Sequence, residues 1–107
     1  MSIGSIDPKE LKQKIEENPE TILIDCREQG EWDEHHIEGF TLIPLSCFEQ
    51  SLKVLQEKDK TAEIHVMCRS GKRSLNACMF LEENGFKNLY NCEGGILAWM
   101  EEGFEVK

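Results

Sequence analysis

Two rhythms of apolar residues alternate along this chain. Four short runs of β-branched and apolar residues, over 21–26, 41–45, 63–67 and 88–92, have the length and make-up of strands. The segments between them suit helices. The stretch 31–36 is short and polar, whereas 48–57 repeats Phe48, Leu52 and Leu55 on one side. Over 74–84, Leu75, Cys78, Met79 and Leu81 are available for packing before Gly85 stops the helix. Near the start, Asp7, Pro8 and Glu10 read as an N-cap, a proline at the first helical position and the acid of a capping box. They open a helix that carries Leu11 and Ile15 inward and ends at Asn18 and Pro19. The order β, α, β, α predicts a parallel sheet flanked by helices, with right-handed crossovers and ligand sites at the carboxyl ends of the strands.

Length narrows this to one unit. A chain of 107 residues buries about 60 to 70 per cent of its unfolded surface, enough for a single core. With no repeat or linker in the sequence, residues 1–107 are expected to form one domain. At 39% hydrophobic and 31% charged, the composition is that of a soluble globular protein. The formal net charge of -9 argues against nucleic acid and anionic membranes as partners, since both require an electropositive surface. No stretch is apolar over the length a bilayer needs, and the first ten residues lack a leader pattern, so a cytoplasmic location is expected. The five cysteines, Cys26, Cys47, Cys68, Cys78 and Cys92, are odd in number and lack CxxC pairs. They read as reduced thiols, with no metal site or cofactor indicated.

Against the acidic background, Arg69, Lys72 and Arg73 gather three of twelve basic residues within five positions. The segment Cys68-Arg69-Ser70-Gly71-Lys72-Arg73-Ser74 follows a predicted buried strand and precedes a predicted helix. Successive backbone N–H groups there can turn inward around an anion. Gly71 permits the necessary backbone angles, the helix beginning near Ser74 adds its positive end, and Arg73 is expected to close the ring with a charged fork. Cys68 then lies at the centre of that field. An ordinary cysteine with a pKa near 8.5 is only about 3 per cent thiolate at neutral pH, and two units of depression would make it mostly thiolate. Without such a cradle, a cysteine after a buried strand is an inert small hydrophobe; the adjacent cations favour a nucleophile.

These residues resemble the rhodanese family, whose active-site loop has a cysteine, four intervening residues and an arginine, as Cys68 to Arg73 do. Leu23-Ile24-Asp25-Cys26-Arg27-Glu28, Trp32, His36-Ile37-Glu38-Gly39 and Ile43-Pro44-Leu45 are similar to the family's amino-terminal signature. Gly85-Phe86, Gly94-Gly95-Ile96 and Ala98-Trp99 match the carboxyl-terminal one. Three positions depart from the family pattern: Cys26 replaces an aliphatic residue, Phe40 an alanine and Cys92 a leucine. The resemblance implies a three-layer α/β/α fold around a five-stranded, mainly parallel sheet, including a short amino-terminal strand near residues 2–6 that the local pattern does not reveal. It also implies sulfur transfer. Cys68 would take sulfur from thiosulfate or a related persulfide donor, hold it as a persulfide, and surrender it to cyanide, a small thiol or a protein thiol. Such displacement needs no general acid when the leaving group is already a good anion.

Asp25 and Arg27 lie two apart at a strand end and face one way, so they are expected to form a structural ion pair, with a supporting role at the site as the second option. His35 and His36 point apart on a helix, and His36 and His65 are expected to be structural. Gly94 and Gly95 lack GxGxxG spacing and are expected to turn a strand tightly into the last helix, with Trp99 as a core anchor and Trp32 partly exposed. Cys26, Cys47, Cys78 and Cys92 read as packing residues, with a second, resolving thiol among them left open. Two other functions compete. A phosphatase or arsenate reductase of the related fold would separate cysteine from arginine by five residues, making a ring wide enough for a tetrahedral oxyanion. A rhodanese-like module could instead serve as a dedicated sulfur carrier or partner-binding domain.

Overall fold

Asp7 starts the first helix as its neighbours dictate: its carboxylate accepts from Glu10 N–H at 2.9 Å, and Glu10 Oε1 accepts in return from Asp7 N–H at 3.4 Å. With Pro8 at the first position, this helix, α1, spans Pro8–Glu17 and buries Leu11. The computed structural model describes residues 3–107, so Ser2 of the anticipated first strand lies outside the described residues. Five strands are formed by them: β1 (Ile3–Ile6), β2 (Ile22–Asp25), β3 (Thr41–Leu42), β4 (Ile64–Met67) and β5 (Leu89–Cys92). They align in the order β1-β5-β4-β2-β3, and every pairing is parallel. The short first strand implied by the family resemblance is therefore present, paired along β5 with Ile3 opposite Leu89.

Alternation along the central strands divides the core between two faces. Ile24, Ile64, Val66 and Leu89 join Phe48, Leu55, Ala77, Cys78 and Leu81 on one side, while Leu23 and Met67 join Leu11, Ile96 and Trp99 on the other. The sheet is thus the middle of three layers. Helices α3 (Ser51–Val54) and α4 (Lys72–Glu83) cover the first face, and α1 and α5 (Gly95–Glu101) the second. The remaining helix, α2 (Gln29–Glu34), follows the carboxyl end of β2.

Three local expectations are corrected. The strand anticipated over 41–45 is assigned only to Thr41–Leu42, because Pro44 has no N–H to give and the chain then enters a 3-10 turn over Leu45–Gln50. The ladder nevertheless continues, since Ile43 N–H donates to Asp25 O and Leu45 N–H to Cys26 O. The helix anticipated over 48–57 is that turn followed by the single turn of α3; the Ser51 hydroxyl bonds back to Phe48 O at 2.6 Å, competing with a regular helical start. On α4 the inward face is Ser74, Ala77, Cys78 and Leu81, while Leu75 and Met79 are each 38% exposed. At about 100° per residue, each of those two stands a quarter-turn beyond a buried neighbour. The helix ends at Gly85 (φ +92°), whose left-handed turn lets Phe86 N–H reach back to Leu81 O at 3.1 Å.

Candidate active site

Cys68 is the first residue beyond β4 and is only 1% exposed. The loop after it rises to Gly71 (φ +101°), which caps α4. Gly71 N–H donates to the Cys68 Sγ at 3.0 Å, and the backbone N–H of Ser74 donates as well. The sulfur therefore sits at the positive end of a twelve-residue helix, as the cradle reading anticipates, although α4 begins two residues earlier than expected. The Ser74 hydroxyl is within hydrogen-bond reach of both the Sγ, at 3.4 Å, and Asn91 Oδ1, and its one proton is shared between them, while Asn91 Nδ2 donates to Gly71 O at 3.0 Å. Asn91 thus ties β5 to the loop at both Gly71 and Ser74. Sequence reasoning missed it, because an asparagine in a strand carries no signal until the strand order places β5 beside β4.

The loop is also held from α5. Ile96 N–H donates to Cys68 O at 2.9 Å and Leu97 N–H to Arg69 O at 3.2 Å, so the free amides of one helix start satisfy carbonyls beside the reactive residue. This contact requires Gly95: its φ is +61°, and a Cβ there would lie 2.3 Å from Arg69 O and 2.5 Å from Cys68 O. The Gly94-Gly95 pair therefore does more than turn a strand into a helix.

The largest influence on Cys68 comes from Cys26. Its thiol hydrogen-bonds to the Cys68 sulfur, and this bond, with the Ser74 hydroxyl and the amides of Ser74 and Gly71, outweighs burial and lowers the Cys68 pKa to about 4. Cys68 is a thiolate at neutral pH. The same bond, followed by burial, raises the Cys26 pKa far above the usual thiol range, so Cys26 keeps its proton and donates it. Cys26 was read from sequence as a packing residue; it is fully buried, but it is also part of the site. Burial pushes Cys78 up to about 12 and raises Cys92 as well, consistent with packing roles, while Cys47 is half-buried.

Arg73 departs from its expected placement. Rather than closing the ring over the sulfur, its guanidinium forms a two-bonded fork with Glu31 of α2, at 2.8 and 2.7 Å. A planar guanidinium matches a carboxylate, whereas the thiolate is a single acceptor already served by Gly71, Ser74 and Cys26. The pair pulls the Glu31 carboxyl down to about 2 and raises Arg73 further. Arg73 remains close enough for the Cys68 charge to favour its cationic form. Arg69, Ser70 and Lys72 are exposed at the rim.

Asp25 and Arg27 form the expected ion pair, with each residue 1% exposed. Arg27 Nε and Nη2 reach the Asp25 carboxylate at 3.0 and 2.9 Å, and Arg27 also donates to Glu31 O and His35 O, binding α2 to the end of β2. Their part is to fix the helix that carries Glu31. His36 and His65 have structural partners, Trp32 O and Glu63, and burial lowers the His65 pKa. Trp99 is buried, with its Nε1 donating to Glu105 O, and Trp32 is partly exposed, stacked on His36. Among the described residues, no cluster of three or more His, Cys, Asp or Glu side chains could hold a metal ion, and no helix is long and apolar enough to cross a membrane.

Residues 7–102 match the rhodanese-like domain family. YtwF of Bacillus subtilis strain 168, provisionally named a sulfurtransferase, is 41% identical over 102 residues, covering 95% of both chains. YrkF of the same organism, provisionally named a sulfur carrier protein, is 35% identical over 92% of this chain and 51% of its own length. The crystal structure of a rhodanese-like domain protein from Staphylococcus aureus superimposes with a TM-score of 0.82 at 33% identity, covering 97% of this chain and 98% of the other. With its all-parallel five-stranded sheet and its cysteine-centred loop, the chain belongs to the rhodanese-like domain family and has relatives named as sulfurtransferases.

Proposed function

We propose that this protein transfers sulfane sulfur through a persulfide on Cys68. The observation that carries the reading is the placement of the Cys68 sulfur at the start of α4, where it accepts from Gly71 N–H at 3.0 Å and where its thiolate form is favoured. With thiosulfate as donor, the Cys68 thiolate attacks the outer sulfur; a new S–S bond forms, the old one breaks, and sulfite leaves with the bonding pair. An acceptor such as cyanide then attacks the outer sulfur of the Cys68 persulfide, forming thiocyanate and returning the thiolate. Charge spread over two sulfurs in each step is met by donors already in place, which need not reorganise. A small thiol or a protein thiol can replace cyanide, and a persulfide donor can replace thiosulfate.

The Arg73–Glu31 pair favours a refinement. Because Glu31 neutralises the cation nearest the ring, a dianionic donor is drawn by the rim residues Arg69 and Lys72 alone, and a persulfide on a thiol or protein depends less on that charge. The sulfur-carrier reading, suggested by the name given to YrkF, remains compatible with the same cysteine chemistry. The four residues between Cys68 and Arg73, and a sulfur that accepts directly from Gly71 at 3.0 Å, support a ring fitted to one sulfur rather than a tetrahedral phosphate.

The test is intact-mass analysis after incubation with thiosulfate, and separately with a small-thiol persulfide. One added sulfur atom should map to Cys68, disappear on addition of cyanide with release of thiocyanate, and be absent in Cys68→Ser. No adduct from either donor would refute the reading. Turnover of an aryl phosphate by the native protein, lost in Cys68→Ser, would replace it with phosphatase chemistry.

A further inference from the structure

Strands β2 and β4 are parallel neighbours with Asp25 opposite Met67, and Cys26 N–H donates to Met67 O at 2.8 Å. Extending that register by one residue sets Cys26 opposite Cys68. Both belong to the core cluster on the α4 side of the sheet, so their side chains share one face. Neighbouring strands lie about 4.7 to 4.9 Å apart. That spacing falls within the roughly 4.4 to 6.8 Å between Cα atoms that a disulfide spans. Cys26 is the strongest single influence on the Cys68 charge, and at 0% exposure it can be approached by Cys68 but not by solvent. The remaining cysteines are placed otherwise: Cys78 donates to Tyr90 O, Cys92 packs on the opposite face of the sheet, and Cys47 lies in the turn before α3.

We propose that Cys26 is a resolving thiol, which closes a reversible disulfide with Cys68 when a hydroperoxide oxidises the reactive sulfur. In the first step the Cys68 thiolate attacks a peroxide oxygen; an S–O bond forms, the O–O bond breaks, and the released hydroxide or alkoxide takes a proton. In the second, the Cys26 sulfur attacks the Cys68 sulfenic acid; the S–S bond forms, the S–O bond breaks, and hydroxide leaves with the Cys26 proton as water. The two sulfurs together lose two electrons, both accepted by the peroxide. A dithiol reverses the change by becoming a disulfide itself.

Charge decides when Cys26 reacts. While Cys68 is a thiolate, the bond to it, together with burial and its negative charge, holds the proton on Cys26, which acts only as a donor. Oxidation to the neutral sulfenic acid removes that charge and makes the neighbouring sulfur an electrophile, so the donor becomes a nucleophile. The disulfide halts sulfur transfer and keeps Cys68 from the irreversible sulfinic acid. This inference rests on the reading of Cys68 as a thiolate, but it does not require that thiosulfate be the donor.

The experiment treats the reduced full-length protein with hydrogen peroxide, blocks free thiols with iodoacetamide, and maps peptides without reduction. The expected result is a Cys26–Cys68 cross-linked peptide with loss of transfer activity that dithiothreitol restores. In Cys26→Val the same treatment should yield sulfinic acid at Cys68 and a loss that dithiothreitol does not reverse; the fraction recovered, rather than the rate of oxidation, is the readout. A native protein that goes to sulfinic acid without the cross-link, or that pairs Cys68 with Cys47, Cys78 or Cys92, overturns the proposal. Should the native Cys68 react with neither peroxide nor iodoacetamide, the thiolate reading falls and this proposal with it. A cross-link that forms in protein unable to take sulfur from any donor upholds the proposal while the sulfur-transfer reading fails. The native peptide map stands even if Cys26→Val does not fold.

Discussion

Replacing Gly95 by alanine should unseat the reactive loop without touching any group that contacts the sulfur. The new Cβ would lie 2.3 Å from Arg69 O and 2.5 Å from Cys68 O, and both are backbone atoms that cannot swing aside. Restoring an ordinary contact therefore moves the loop and α5 apart by about 1 Å. Alanine at φ +61° adds about 1 to 2 kcal/mol of left-handed strain. Separation weakens the bonds from Ile96 N–H to Cys68 O and Leu97 N–H to Arg69 O, each contributing about 0.5 to 1.5 kcal/mol. Together these amount to roughly 2 to 5 kcal/mol against a total stability of about 5 to 15. For a domain of this size the melting temperature should fall by at least about 10 °C. A displacement of about 1 Å at the reacting atom should lower single-turnover transfer about a hundredfold. Thermal unfolding by circular dichroism and rapid-mix persulfide formation, measured well below the new melting temperature, separate the two effects. Gly30→Ala is the control, since a Cβ there meets nothing within 4 Å. Native-like melting and turnover in Gly95→Ala, or an equal loss in Gly30→Ala, would refute the reasoning.

The other expectations concern charge. Because the Cys68 pKa is lowered to about 4, the anion dominates at neutral pH, and alkylation of Cys68 by iodoacetamide should be level from alkaline pH down to about 5 and fall as pH drops through about 4. A midpoint near the ordinary thiol value of about 8.5 would show that the cradle does not stabilise the thiolate. Glu31→Gln removes an anion beside the ring and frees Arg73, so the Michaelis constant for thiosulfate should fall by roughly two- to fivefold, the scale of a partly exposed ion pair; an unchanged constant with unchanged salt dependence would mean that Arg73 does not face the donor's path. Neutralising Arg69 and Lys72 together should raise that constant, and added salt should mimic the effect because exposed charges are screened over about 8 Å. Lost turnover at a constant Michaelis constant would contradict their recruiting role.

The features legible in the chain alone are those that neighbouring residues decide among themselves. The capping box of Asp7 and Glu10, the stop at Gly85, the strands leading to Asp25 and Met67, and the cysteine loop before α4 are all set within one or two turns of chain, where capping, period and glycine freedom act directly. The ion pair of Asp25 and Arg27 was legible for the same reason, as was the core position of Trp99. The phase of α4 was not: its sequence offers Leu75 and Met79 as plausibly as Ala77, and only packing against the sheet selects the face that buries Ser74 and leaves those two partly exposed. Nor was the environment of the thiolate. Cys26, Asn91, Glu31 and Gly95 come from four other parts of the chain, and they meet Cys68 or its loop because β4 lies between β2 and β5 and all the strands run the same way. Parallel order gathers the carboxyl ends at one edge of the sheet, where β2 and β4 deliver Cys26 and Cys68 and the end of β5 delivers Asn91. That order is selected by burying both faces of the sheet at once, a condition of the whole core that no local pattern contains.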